Sequence, residues 1–450
     1  MTTAQRLIGI LLCVSLGAAA PAGADVITDW NATMLSTIGA APAGAGPSRV
    51  IEMAMVHIAM HDAVQAIQKR FETYSPGITP ASGSVIAAAS KAARDVLVNR
   101  FPAQTDALEA TYQAYLTAHQ LASSDPGVAA GAQAAAAIIQ MRVGDGTYPV
   151  PAPTFFGNTE LGQWRANVNA AGQPQPMAGS WLATSRTFAV MHSSQMFSGT
   201  PPRITSRQYT RDYNEVKALG RNVGSTRTPE QTALAMFFSE TPFNFWNRTM
   251  RGLADSYITD VGDSARMFAL ANIAMADAVM TCWQTKIQYN FWRPSTAIQL
   301  GDTDGNRSTV GDPTWQPFFA NPNYSDYNSG ANSVVGAAVE TLRLFFGTDR
   351  VNFSLAGATS SRDYTRFSDV AQDCVEARML MGIHFRFADV AGRTSGQRVG
   401  RYVHKYFMRS LEGGQSDFVR TLDTFEEELD VVEDAAEGQD DDDAERPGDR

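Results

Sequence analysis

The chain has 450 residues, 44% of them hydrophobic and 18% charged, and a formal net charge of −10 at pH 7. That charge is local: residues 426–450 hold thirteen acids and two arginines, so the body is close to neutral. It has no basic surplus to hold a nucleic acid, and none is expected as a partner.

Residues 1–24 read as a secretory signal, with Arg6 as the charge, Leu7 to Leu16 as the apolar run and Ala22-Gly23-Ala24 as a small-residue cleavage site. The apolar run is short for a membrane anchor. No later stretch reads as long and apolar enough to cross a bilayer, so a soluble protein exported to the periplasm or beyond is expected. Export leaves two cysteines, Cys282 and Cys374, and two separate buried thiols are preferred to a disulfide. Residues 25–425 form one domain by this reading, with no Pro/Ser linker and no fixed-period repeat. Residues 426–450, acidic and without apolar periodicity, are expected to be a disordered tail.

The body reads as an all-α, multi-helix bundle. RVIEMAMVHIAMHDAVQAIQKRF and SVIAAASKAARDVLVNRF carry apolar residues at three- and four-residue spacing, and AQTDALEATYQAYLTAHQLA begins beyond Pro102. GVAAGAQAAAAIIQMRV stops at Gly144-Asp145-Gly146. Tyr148 to Arg203, rich in Pro, Gly and Trp, predicts irregular structure with Trp164 and Trp181 pinned to the core. Helices resume with SRQYTRDYNEVKALG and TPEQTALAMFFSE. DSARMFALANIAMADAVMTCWQTKIQYNFW predicts one long helix or two, ending at Pro294 and carrying Lys286 on its last turns. NSVVGAAVETLRLFFG predicts the helix after Ser329-Gly330, and FSDVAQDCVEARMLMGIHFRF one that carries Arg378, with His384 near its end. The loop at Gly301 to Asp312 has Asp302, Asp304 and Gly305 but lacks the rest of a calcium-loop pattern, and reads as an ordinary polar loop.

Lys286, Arg293, Arg378, Ser329, Gly330 and His384 form a set that no local structure requires. Several fixed cations, with a hydroxyl and a close-approaching glycine amide, suit a tetrahedral oxyanion such as phosphate or vanadate. A helix N-terminus at Ser329-Gly330 would add its dipole and free amides. His57 and His61, at i and i+4, have no third metal ligand and read as core histidines, with a helper role at the anion site kept open. His119, His192 and His404 have no motif around them.

The spacing Lys286-x6-Arg293-Pro294, then Ser329-Gly330, then Arg378-x5-His384 resembles the vanadium-dependent haloperoxidases and the type 2 phosphatidate phosphatase superfamily. KIQYNFWRPSTAIQ and GIHFRF resemble its bacterial secreted haloperoxidase-like branch, and weaker likeness runs from about Asp25 to about Phe407. The resemblance implies an all-α fold with irregular loops over the site. It implies that Lys286, Arg293 and Arg378 neutralise the anion, that Ser329 and Gly330 hold its oxygens, and that His384 binds vanadium or attacks phosphorus. Vanadate is the implied cofactor, with phosphate able to occupy the same site. Hydrogen peroxide, a halide and a small-molecule substrate are the implied partners, and homo-oligomerisation stays open. Two positions depart from the pattern. Ala331 stands where the family usually has an acid–base histidine, giving Ser-Gly-Ala-Asn, and Ala388 stands where an acid is usual, with Asp389 one place later. An acid phosphatase acting through a phosphohistidine and an oxyanion-binding protein that has lost catalysis are the alternatives.

Overall fold

The computed structural model describes residues 25–41, 47, 49–146 and 154–411. The expected signal at 1–24 and the acidic tail at 426–450 lie outside the described residues. Side-chain caps start many of the helices where short polar residues stand in the sequence. Asp25 accepts from the amides of Ile27 and Thr28 to open α1 (Val26–Ala40), which leads to α2 (Val50–Gln68). Ser84 caps α3 (Val85–Arg100), α4 (Thr105–Ala118) follows Pro102, and Asp125 with Pro126 opens α5 (Pro126–Met141). Ser206 caps α6 (Arg207–Leu219), and Thr228 and Gln231 form a capping box at α7 (Pro229–Phe237). Then come α8 (Pro242–Tyr257), α9 (Val261–Tyr289), α10 (Pro294–Gln299), α11 (Gly330–Phe346), α12 (Phe367–Leu380) and α13 (Arg386–Tyr406). The fold is all-α as expected. Among the described residues the one sheet is an antiparallel hairpin of β1 (Phe353–Ala356) and β2 (Ser361–Tyr364), with Phe353 opposite Tyr364.

Two boundaries differ from the sequence expectation. α9 stops at Tyr289 because Asn290 takes the left-handed conformation at φ 45°, which asparagine tolerates. Pro294 therefore opens α10 instead of ending α9, since its missing N–H costs nothing at a first helical position. His384 is not on a helix. α12 ends at Leu380, Gly382 turns the chain at φ 77°, and His384 sits in the short connection before α13.

The long helix α9 is the centre of the molecule, buried along most of its length and packed against α2, α11 and α13. Both α2 and α9 are long and apolar enough to cross a membrane, which corrects the expectation that no stretch after the signal would be. Their most apolar windows are 94% and 100% buried inside the bundle, and a helix apolar on every side suits a core position equally well. The irregular segment before α6 is pinned to this core as predicted. Asp277 of α9 accepts from the amides of Phe188, Ala189 and Val190 at 2.6–2.8 Å, and Trp164 and Trp181 are buried.

The tightest crossing is α11 on α13, and glycine makes it. Gly392, Gly396 and Gly400 lie one turn apart on α13. A Cβ on them would fall 2.4, 2.0 and 2.7 Å from the carbonyl oxygens of Ser329, Ser333 and Ala337. This stripe lets α13 lie against the start of α11 and so fixes where Ser329 sits. Gly396→Ala should therefore lower stability in urea unfolding by about 1–3 kcal/mol, the usual cost of overpacking. Gly252→Ala, on the exposed face of α8 with nothing near its Cβ, should instead raise it by about 0.5–1 kcal/mol. Equal stabilisation by both would show that the crossing is looser than described.

Candidate functional site

Lys286 enters the site from the last turns of α9 and is fully buried. Its ammonium donates to the carbonyls of Ser325, Asp326 and Asn328 at 2.7, 2.9 and 2.6 Å. An ammonium has three N–H donors, so all are used on the backbone of the segment that leads into α11. Ser325 Oγ returns a hydrogen bond to the Lys286 carbonyl at 2.8 Å. Lys286 thus clamps the segment and brings positive charge to the site, rather than presenting a free donor. Burial pulls its pKa down to about 8.

Arg293 caps α10 and is also buried. Its Nε donates to Tyr324 O at 2.8 Å and its Nη1 to Ile383 O at 2.6 Å. The same Nη1 lies 3.2 Å from His384 Nε2 and 3.3 Å from Nδ1. Nη2 is buried without a hydrogen-bond partner among the described residues. Among the described residues Arg378, in the last turn of α12, makes long contacts of 3.4 Å to Phe238 O and Met381 Sδ through Nη1, and its Nε is unpartnered.

Ser329 is the N-cap of α11, and Gly330 is its first residue. The first-turn amides of a helix have no intrahelical acceptor, so this end offers donors and the positive end of a dipole. The Ser329 amide is held by Ala388 O at 2.9 Å, and its Oγ accepts from Asn332 Nδ2 at 3.3 Å. A side chain at 330 would press on Trp283, 3.1 Å from the position of a Cβ.

His384 is buried among these groups. Burial, then the charges of Arg293, Lys286 and Arg378, hold its pKa well below the usual imidazole value, which keeps the ring neutral. Its Nδ1 lies 2.6 Å from Asp326 Oδ1. Asp326 also lies 3.6 Å from Arg293 Nη1. Burial pushes its carboxyl up to about 7, with Arg293 and Lys286 pulling the other way. A second buried acid, Asp389 on α13, accepts from Asn332 Nδ2 at 2.8 Å. Its pKa is held well above the ordinary carboxyl value, first by burial, with hydrogen bonding from Ser329 offsetting part of this.

A cavity of about 270 Å³ adjoins the cluster, lined in part by Phe243, Trp283, Tyr324, Gly330, Ala331 and Arg378. Ala331, where an imidazole would be usual, faces this space. The structure therefore brings Lys286, Arg293, Ser329, Gly330, Arg378 and His384 into one neighbourhood. It adds Asp326, which the sequence reading missed. The available signal was an acid three residues before Ser329, flanked by Tyr324 and Tyr327.

Other candidates fall elsewhere. His57 Nε2 pairs with Asn31 Nδ2 at 2.9 Å and stacks on Phe268, and His61 Nε2 donates to Glu72 O at 3.1 Å. Neither is partnered with a site residue, and the described residues hold no cluster of three metal-ligating side chains. Cys282 and Cys374 are separate buried thiols, the former donating to Asn328 O at 3.4 Å. Asp302 and Asp304 accept from Gly311 N and Thr309 Oγ1 of their own loop.

Comparison with known proteins agrees with this architecture. A family model described as the VCPO second helical-bundle domain matches residues 266–413, the stretch that contains all six candidate residues. Vanadium chloroperoxidase of Curvularia inaequalis is 26% identical over 197 residues, which is 36% of this chain. That match spans about a third (31%) of the relative's own length. The crystal structure of the first bacterial vanadium-dependent iodoperoxidase superposes with a TM-score of 0.71 at 22% identity, covering 86% of this chain and 96% of that one. An apo-type bacterial vanadium-dependent chloroperoxidase gives 0.66 at 17% identity, covering 81% and 94%. Residues 266–413 thus match the second helical bundle of the vanadium chloroperoxidase family model, and the chain shares the fold of these vanadium-dependent haloperoxidase structures.

Proposed function

We propose that this chain is an exported peroxidase that holds vanadate at His384 and uses hydrogen peroxide to oxidise a halide or a small organic substrate. The observation that carries the reading is the pair of buried guanidinium donors, Arg293 Nη2 and Arg378 Nε, left without partners among the described residues beside a neutral histidine. Buried donors are nearly always satisfied, and a tetrahedral oxyanion supplies acceptors of the right number and charge. The donor set suits vanadate: one imidazole nitrogen for the metal, and guanidinium, hydroxyl and amide groups for its oxygens. Bound there, the metal centre would supply Lewis-acid activation of peroxide.

The side chains would divide the remaining work. His384 Nε2 offers the lone pair, and Arg293 and Arg378 donate to oxygens while balancing their charge. Ser329 Oγ and the Gly330 amide add donors at the α11 terminus, and Lys286 contributes its field while holding the segment in place. Phe243, Trp283 and Tyr324 give the adjoining cavity an apolar wall, which suits an uncharged organic substrate and limits water. Proton transfer is the weak point. Ala331 carries no proton, and the Asn332 amide has no suitable pKa.

The same cradle fits phosphate, but a phosphohistidine route needs an acid for the leaving group. With Ala331 facing the cavity, that route loses more than the peroxidase does. The primary test is metal analysis of protein equilibrated with vanadate, followed by peroxide-and-bromide turnover. Phosphomonoester hydrolysis with a trapped phosphohistidine, and no vanadate-dependent turnover, would replace the peroxidase reading with the phosphatase one.

Two variants probe the parts separately. Arg378→Ala should weaken vanadate binding by about 1.5–3 kcal/mol, the scale of hydrogen bonds to a charged group. Unchanged affinity would remove Arg378 from the cradle. Ala331→His should raise peroxide-dependent halide oxidation at least about tenfold, since a positioned acid or base typically contributes about two to four powers of ten. The cavity beside Ala331 leaves room for the ring. Normal vanadate affinity with no gain in rate at saturating vanadate would show that Ala331 is not the missing group.

A further inference from the structure

We infer that Asp326 is the positioning residue for His384: its carboxylate holds the imidazole as the Nδ1–H tautomer and leaves the Nε2 lone pair free for the atom at the centre of the oxyanion. The purpose of this arrangement rests on the oxyanion reading above, whereas its geometry does not. Asp326 Oδ1 lies 2.6 Å from Nδ1, and both residues are buried, so water does not mediate between them. An ionised carboxylate only accepts, so Nδ1 carries the ring proton and donates it to Asp326 Oδ1. Arg293 Nη1, 3.3 Å from Nδ1 and 3.2 Å from Nε2, favours neither nitrogen.

The backbone that carries the carboxylate is fixed on both sides. Asp326 N donates to Phe291 O at 2.9 Å, and the Asp326 carbonyl accepts from Lys286 Nζ at 2.9 Å. Arg293 Nη1, 3.6 Å from Oδ1, donates to the carbonyl of Ile383, the residue before the histidine. Position 388, where the resemblance expects an acid, has only a methyl, and its carbonyl is spent on the Ser329 amide. The acid that orients the ring comes instead from the segment ahead of α11. A metal-binding histidine commonly needs such a partner on its other nitrogen, and removing it typically costs about 10–100-fold in metal affinity or activity.

The test uses the mature chain with ¹⁵N-labelled histidine and no added metal, read by long-range ¹H–¹⁵N correlation, with His384→Gln identifying the signal. Wild type should show a protonated Nδ1 and an unprotonated Nε2. In Asp326→Ala the signal should move to the Nε2–H form or a mixture. Asp326→Asn should do the same, because an amide can turn its NH₂ to the ring and hold the wrong tautomer. The asparagine variant also keeps a polar group in place should the alanine variant not fold. Orthovanadate affinity, by titration, should fall about 10–100-fold in both. An Nε2–H signal in wild type, or an unaltered Nδ1–H signal in Asp326→Asn, would overturn the assignment. If wild type binds neither orthovanadate nor inorganic phosphate, the oxyanion reading falls while the tautomer measurement still decides what Asp326 does.

Discussion

Burying three cations around one histidine is the constraint on which the rest of the site depends. Lys286, Arg293 and Arg378 repel one another at short range, and burial removes the water that would screen them. The fold answers in two ways. It surrounds the charges with oxygen dipoles, such as the three carbonyls on Lys286 and those of Tyr324 and Ile383 on Arg293. It also sets two buried carboxyls, Asp326 and Asp389, on either side of the start of α11. Each guanidinium nevertheless retains a buried donor without a partner among the described residues, so hydrogen-bonding capacity is left over at the site.

The same contacts link the site to the fold. Lys286 belongs to the central helix α9, and its ammonium draws the segment 325–328 against that helix. Ser329 and Gly330 follow at once and begin α11, so the clamp sets the position of the helix terminus. From the other side, the glycine stripe of α13 brings Gly392 against the Ser329 carbonyl. The hydroxyl is therefore placed by two independent packings. Rigid elements on both sides of a site hold its donors to the small tolerances that a binding site needs.

Ala331 changes the chemistry without changing this frame. The side chain borders the cavity, and a methyl there carries no proton where the resemblance expects an imidazole. Charge and donor placement survive, because neither depends on position 331. On the proposed reading, anion binding and proton transfer are therefore separable, because different residues would carry each.

Much of this was legible in the sequence. Apolar spacing and short polar caps located most helices, because both are local signals, and the ordered triplet of motifs marked the six residues that meet. Lys286-x6-Arg293 and Arg378-x5-His384 each span a few turns at most, so their chemistry is written in consecutive residues. Other features were decided only by the tertiary structure. Asp326 looks like any loop acid until the chain folds and sets it 2.6 Å from a histidine 58 residues away. The end of α9 at Asn290 and the turn at Gly382 rest on left-handed backbone that a nearby proline or an apolar run concealed. The stripe Gly392, Gly396 and Gly400 reads as a weak helix until α11 lies against it. Periodicity and capping act between neighbours in sequence, whereas the fit of two helices and the pairing of a carboxylate with an imidazole exist only between residues that folding brings together.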